Sequence, residues 1–281
     1  MSVENSSQLR FLLLGAGFTT GYLARNVQHQ DFQAVGDVVF LSRTPEKLAA
    51  DGLQSYNPLD LNIDAIIDSI PARPVGEALP YRPIIESLLK QRDIPFIHIS
   101  STSVFPAGNQ SESLSDLPVY NESSPPEPGS EGGERRLALE SEVKAAYGQA
   151  VYIVRAGGIY GPGRCLADRF LQGDFSRAAI GNRVVSRIHV HDLARLCVAV
   201  AGVARAEPHH APRLVHAVDG HSVGQREVFN WLEARYDLKI PGDWRSQPYV
   251  GRHIRSRFLD QLLPTGLQYP DYRSGFADCL E

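Results

Sequence analysis

The stretch Leu12-Leu13-Leu14-Gly15-Ala16-Gly17-Phe18-Thr19-Thr20-Gly21 carries an apolar, strand-like series straight into two glycines and out into a segment of helical spacing. Strand, tight turn and helix in that order leave the first helical amides without intrahelical partners, and the helix dipole adds positive potential beside them. Gly15 permits a turn that a side chain resists, and Gly17 lets a phosphate approach the backbone with no Cβ in the way. The stretch therefore reads as the first βα junction of a dinucleotide-binding sheet, with Gly15, Gly17, Phe18, Thr19, Thr20 and Gly21 as cofactor-binding positions. A regular Gly-x-Gly-x-x-Gly would put its third glycine at Thr20; here it falls one residue later, at Gly21.

The next strand, expected over residues 37–41, ends in Leu41-Ser42-Arg43-Thr44. An NAD site needs a carboxylate there to accept both ribose hydroxyls, and none is present. Ser42 and Arg43 instead suit a 2′-phosphate through a charge-assisted contact, so the sequence favours NADP, with NAD possible. Asp60 and Ser69 complete the cofactor-binding set; Asp60 reads equally well as the cap of a turn.

Further along, short runs of Leu, Ile and Val alternate with longer segments of helical spacing. Strands are expected at 9–14, 37–41, 65–68, 95–100, 151–155 and 214–218, and helices at 21–28, 45–50, 83–91, 134–146, 190–204 and 222–236. The alternation predicts an α/β fold, a doubly wound parallel Rossmann-like sheet with a small C-terminal mixed substrate lobe. Residues 1–160, with 188–219 returning to the sheet, form the expected core, and 161–187 and 220–281 the lobe. Residues 106–133, dense in proline, glycine and serine, are expected to be a long loop without strand or helix, serving as a lid or as mobile surface.

Composition narrows the function. The 281 residues are 43% hydrophobic and 21% charged, with a net charge of −4, as in a soluble globular protein. Acidic side chains number 32 against 28 basic ones, and the many arginines look dispersed, so neither nucleic acid nor a membrane is an expected partner; a small-molecule substrate or effector is. Cys165, Cys197 and Cys279 are too scattered for a disulfide framework or a cysteine zinc site and read as reduced thiols of a cytoplasmic protein. No apolar run approaches the ~20 residues of a membrane helix.

Four further motifs follow in order. They are Ile99-Ser100-Ser101-Thr102-Ser103-Val104-Phe105, Asn121-Glu122-Ser123-Ser124-Pro125-Pro126-Glu127-Pro128, Arg155-Ala156-Gly157-Gly158-Ile159-Tyr160-Gly161-Pro162-Gly163 and Ile188-His189-Val190-His191-Asp192-Leu193-Ala194. Together with the glycine turn they resemble the extended short-chain dehydrogenase/reductase superfamily, the NAD-dependent epimerase/dehydratase group, in an atypical branch. The resemblance places Ser101 on the family's active-site serine and implies that the regions after Gly163 and after Asp219 build the substrate lobe. It is also compatible with a homodimer.

That superfamily runs its chemistry on a Tyr-x-x-x-Lys pair. Residues four apart share a helix face, so the ammonium lowers the phenol pKa and makes it a usable acid/base. Here no tyrosine has a lysine four residues later. Aligning Arg136-Leu137-Ala138-Leu139-Glu140 with the family's Lys-Leu-x-x-Glu puts Arg136 at the lysine position and Gly132 at the tyrosine position. Arg136 can hold a ribose, whereas Gly132 transfers no proton. Two expectations stay open: an NADP-dependent oxidoreductase or epimerase with a displaced acid/base drawn from Tyr120, Tyr160, His189 or His191, acting on a small carbonyl or nucleotide-sugar-like substrate, or an inactive NADP-binding sensor or scaffold.

His189 and His191 could share a strand face as metal ligands, but no third ligand is visible and a packed His189 is the better expectation. Cys165 stands beside Arg164, a cation that would favour its thiolate, although an inert thiol is the commoner case.

Overall fold

A computed structural model describes residues 8–42, 58–74 and 76–280. Six strands form the parallel central sheet, in the spatial order Leu214–Ala217, Val151–Ala156, Phe96–Ser101, Ala65–Asp68, Leu9–Leu14, Val35–Leu41. Leu9–Leu14 lies between Val35–Leu41 and Ala65–Asp68, with Leu12 opposite both Val39 and Ile66. Strand order reverses there, which makes the crevice at its carboxyl end the place where ligands of open α/β sheets bind. Phe11, Leu12 and Leu13 are fully buried, as are Ala65 and Ile66, because helices cover both faces of a parallel sheet and the strands must then read as continuous apolar runs.

Contacts divide the chain into two compact units. The first comprises residues 1–100, 135–155 and 193–215, the second 101–134, 156–192 and 216–281. In the first, Leu12, Leu14, Val39, Ile66 and Phe96 of the sheet pack with Ile85 and Leu88 of helix Arg82–Gln91 and with Leu139, Val143 and Tyr147 of helix Glu131–Tyr147. One buried polar cluster crosses this core. Glu140 receives Arg155 Nε at 2.9 Å and Nη2 at 2.8 Å, and Ser100 Oγ at 2.6 Å. Burial alone would raise the Glu140 pKa, but the bonds and charge of Arg155 and the Ser100 hydroxyl outweigh it and hold the carboxyl below its ordinary value.

The second unit has its own core, centred on Trp244, Phe229, Phe170, Tyr272 and Phe276. It also corrects the expectation for residues 106–133. Asn109–Ser111 pairs antiparallel with Tyr249–Gly251, Val119–Tyr120 pairs parallel with His253–Ile254, and helix Glu131–Tyr147 already starts inside the segment. Glu122 fastens the rest, accepting from His216 N at 2.8 Å, Arg257 N at 3.0 Å and Ser256 Oγ at 2.9 Å. These strands are too short to show an alternating pattern, and their partners lie more than a hundred residues away.

The first helix runs Phe18–Arg25, three residues earlier than expected, because extended Gly17 releases the chain directly into it. The helix expected at 45–50 lies outside the described residues. No helix among the described residues is long and apolar enough to cross a membrane.

Candidate functional site

In the first unit the glycine turn is braced from within. Gly15 takes φ 81°, a left-handed conformation that side chains resist, and its amide donates to Leu41 O at 3.0 Å. Thr20, standing where a regular motif has its third glycine, donates its hydroxyl to Gly15 O at 2.7 Å and accepts the Gly17 amide at 3.1 Å. Ser69 Oγ lies 3.1 Å from the Thr20 hydroxyl, so two of the expected cofactor-binding residues shape the turn rather than merely border it. A Cβ on Gly17 would come within 3.3 Å of Ser69 Oγ, and one on Gly15 within 3.3 Å of Ile70. Gly21 has no such constraint, since a Cβ there would meet only the mobile end of Arg25. Phe18 and Thr19 open the helix and present its first amides. These positions fit a pyrophosphate: an exposed Gly17, a helix N-terminus and no acid in its first turn.

Ser42 follows the second strand directly; Arg43 lies outside the described residues, and so does the side chain of Asp60, whose backbone belongs to the turn Pro58–Asp60. Arg136 is half-buried on helix Glu131–Tyr147, where burial lowers its pKa and the charge of Asp68 opposes that effect. Asp68 in turn meets His98 Nδ1 at 2.8 Å, a buried pair on facing positions of adjacent strands that no sequence motif marks.

The second unit contains a cavity of about 770 Å³. Ser101, Thr102 and Ser103 line it at the end of strand Phe96–Ser101, Gly157 and Gly158 after strand Val151–Ala156. Among the described lining residues are six arginines, Arg164, Arg169, Arg177, Arg183, Arg187 and Arg252, against a single carboxylate, Asp168. Ser101 Oγ accepts the Ser103 amide at 3.1 Å, Arg252 donates to Thr102 O at 2.9 Å, and buried Arg187 donates to Val185 O at 3.0 Å. Six of the arginines that look dispersed in the sequence thus line one cavity. Five of them fall between 164 and 187, a local density that could have been noticed.

No tyrosine or histidine occurs among the described residues lining this cavity. Tyr160 is buried in the core, its hydroxyl donating to Asp271 O at 3.3 Å and its ring edge-on to His189 and Phe276. Burial pushes its phenol far above the ordinary value. His189 is fully buried and accepts the His191 amide at Nδ1; desolvation pushes it down to about 4, opposed by the Asp278 carboxylate 3.3 Å from Nε2. Tyr120 stacks on Phe105 with centroids 5.0 Å apart.

Asp219 is the other unusual group of this unit. It accepts the His221 amide through Oδ1 at 2.9 Å, while Oδ2 is buried without a hydrogen bond. Burial pushes its carboxyl up to about 7, opposed by the His221 amide and the Arg187 charge. A folded-state pKa above the unfolded one means that the fold holds the proton more tightly, so stability falls as pH rises from about 4 through about 7. Urea titrations should show that loss, on the order of 2–4 kcal/mol, and Asp219→Asn should abolish it; an unchanged slope in the variant would assign the pH dependence elsewhere.

Residues 84–233 match the family described as RmlD substrate binding domain. Solved structures agree along the whole chain. A Methylobacillus flagellatus protein provisionally named NAD-dependent epimerase/dehydratase is 25% identical with a TM-score of 0.73, covering 98% of each chain. The ADP-L-glycero-D-manno-heptose-6-epimerase of Helicobacter pylori is 15% identical with a TM-score of 0.68, covering 100% of this chain and 98% of its own. UDP-glucose-4-epimerase from Stenotrophomonas maltophila, with bound NAD and formylated UDP-arabinopyranose, is 15% identical with a TM-score of 0.66 and 97% coverage of both. No curated protein matches the sequence. With more than half its length matched and a Rossmann-like sheet of the epimerase/dehydratase type, the chain belongs to the RmlD substrate binding domain family.

Proposed function

We propose that the chain binds NADP at the glycine turn and takes an anionic, nucleotide-sugar-like substrate in the arginine-lined cavity, as an oxidoreductase or epimerase with a non-standard acid/base. The observation that carries the substrate class is the set of six arginines against one carboxylate among the described residues that line the cavity. Guanidinium groups recognise phosphate oxygens through paired, charge-assisted bonds, and a small neutral carbonyl compound would leave this field unused. The similarity to epimerases of ADP- and UDP-linked sugars supports the same class. When bound, the nicotinamide supplies or accepts the hydride. Around it, Gly15, Gly17 and the amides of Phe18 and Thr19 hold the pyrophosphate, Arg43 selects the 2′-phosphate, and Ser101 offers a hydroxyl to the substrate oxygen. The second reading, a cofactor-binding sensor without turnover, is favoured by one observation: Gly132, aligned with the family's tyrosine, contributes no side chain, and nothing lies within 4 Å of where its Cβ would be.

Fluorescence titration should show NADPH binding more tightly than NADH, with Arg43→Ala removing the preference. Calorimetry with UDP-glucose should show binding that weakens with salt and drops by roughly 10–100-fold in Arg164→Ala or Arg183→Ala, the loss expected for a charged hydrogen-bond partner. Unchanged UDP-glucose affinity in both variants would defeat the substrate assignment, and failure to bind either cofactor would defeat the proposal as a whole.

A further inference from the structure

The arginines of the cavity are not equivalent. Arg164, Arg169, Arg177 and Arg183 are exposed, and Arg169 lies 3.8 Å from the Asp174 carboxylate outside the cavity wall. Arg187 is buried, donates to Val185 O, and has the charge of Asp219 set against its own. Arg252 combines partial burial with an unmet charge. Among the described residues it meets no carboxylate, and its hydrogen bond runs from Nη2 to the main-chain Thr102 O at 2.9 Å, while Nε is buried without a partner. We propose that Arg252 is the specificity-determining residue for a carboxylate on the sugar, so that the substrate of this cavity is a nucleotide-linked uronic acid. The inference rests on the nucleotide-sugar reading above and narrows it.

The backbone fixes where this charge stands. Val250 N donates to Asn182 O at 3.1 Å and Ile254 N to Ser186 Oγ at 3.2 Å, so the segment carrying Arg252 runs alongside the one carrying Arg183 and Arg187. The bond to Thr102 O then holds the guanidinium beside the residue that follows Ser101, whose hydroxyl is the one offered to the reacting sugar oxygen. With one N–H spent on Thr102 O, the guanidinium keeps further donors in its plane for the paired bonds that a carboxylate accepts.

Charge and shape select the group. Burial lowers the Arg252 pKa; the Tyr120 phenol opposes the shift and the Arg183 cation adds to it. A guanidinium drawn partly out of water without a counter-charge is held at a cost, and an anion that enters beside it relieves that cost. The exposed arginines serve the diphosphate of a nucleotide sugar, and the sugar extends beyond it to the serine end of the cavity. A neutral hexose would leave Arg252 there without a counter-charge, whereas a ring carboxylate, planar and singly charged, matches the fork of one guanidinium.

Calorimetry on the full-length protein with UDP-glucose and UDP-glucuronate tests this, because the two ligands differ only in the oxidation of one carbon. UDP-glucuronate should bind roughly 10–100-fold more tightly, the worth of one charge-assisted pair. Arg252→Gln keeps a donor for Thr102 O and loses the charge; it should weaken both ligands and bring their ratio close to one. Arg252→Lys, with the charge but without the fork, should restore part of the ratio. In Arg164→Ala both affinities should fall and the ratio should persist, because that residue serves the diphosphate. Equal affinities in the unsubstituted protein would overturn the uronic acid and leave the nucleotide-sugar reading standing. A ratio that survives in Arg252→Gln would overturn the role of Arg252, and binding of neither ligand would defeat the substrate class and this inference with it. The two ligands on the unsubstituted protein keep the inference open to refutation even if the variants fold poorly.

Discussion

Glu140→Ala should lower stability by about 3–5 kcal/mol, the effect of leaving one member of a buried ion pair without its partner. Arg155 is 3% exposed and Glu140 1%, so water cannot replace what is lost. The change also frees the Ser100 hydroxyl, and therefore loosens helix Glu131–Tyr147 and strands Phe96–Ser101 and Val151–Ala156 together. A urea midpoint that falls at constant slope is the expected measurement. Replacing both partners, as Glu140→Leu with Arg155→Met, should be far milder, because no uncompensated charge remains. If the single and double variants lose the same stability, packing volume rather than charge holds this core. The cluster also predicts acid sensitivity. A carboxyl held below its unfolded value contributes stability above about pH 4 and loses it as pH falls through the folded pKa, so part of the acid-unfolding limb should vanish in Glu140→Leu with Arg155→Met.

The double variant Gly132→Tyr with Arg136→Lys should raise turnover of a nucleotide sugar or its carbonyl product by about 10²–10⁴-fold, the usual contribution of a positioned general acid/base. Both positions lie on helix Glu131–Tyr147, four residues apart and so on one face. Gly132 is exposed with open space at its Cβ, and a side chain in place of a helical glycine does not weaken the helix. The pH profile should gain a limb from the phenol, which neither single variant shows. Intact NADPH binding with no gain in turnover would separate Gly132 from the family's tyrosine position and return weight to the sensor.

The glycine turn and the sheet were legible because their signals are local. Strands Leu9–Leu14 and Ala65–Asp68 fall where the apolar runs place them, and Thr20 is explained by its neighbours within the turn. The second unit is another matter. Tyr160 looks available in the sequence because a Tyr-Gly-Pro-Gly loop suggests exposure, yet its hydroxyl bonds a carbonyl 111 residues away and its ring fills a core. Five of the cavity arginines lie between 164 and 187, but Arg252 joins them from much further along the chain, which no local pattern encodes. Short strands such as Asn109–Ser111 exist only because Tyr249–Gly251 returns to them.

The edge of the central sheet is supplied by Leu214–Ala217, long after the five other strands have been translated. On the ribosome, Val151–Ala156 therefore waits with an unpaired edge while some sixty further residues are made. An apolar parallel strand with open amides and carbonyls is a template for another chain, so that interval is when nascent copies on neighbouring ribosomes are most prone to pair with one another. Slowing translation between codons 157 and 214 should accordingly reduce the soluble yield, and chaperone dependence should concentrate in that window.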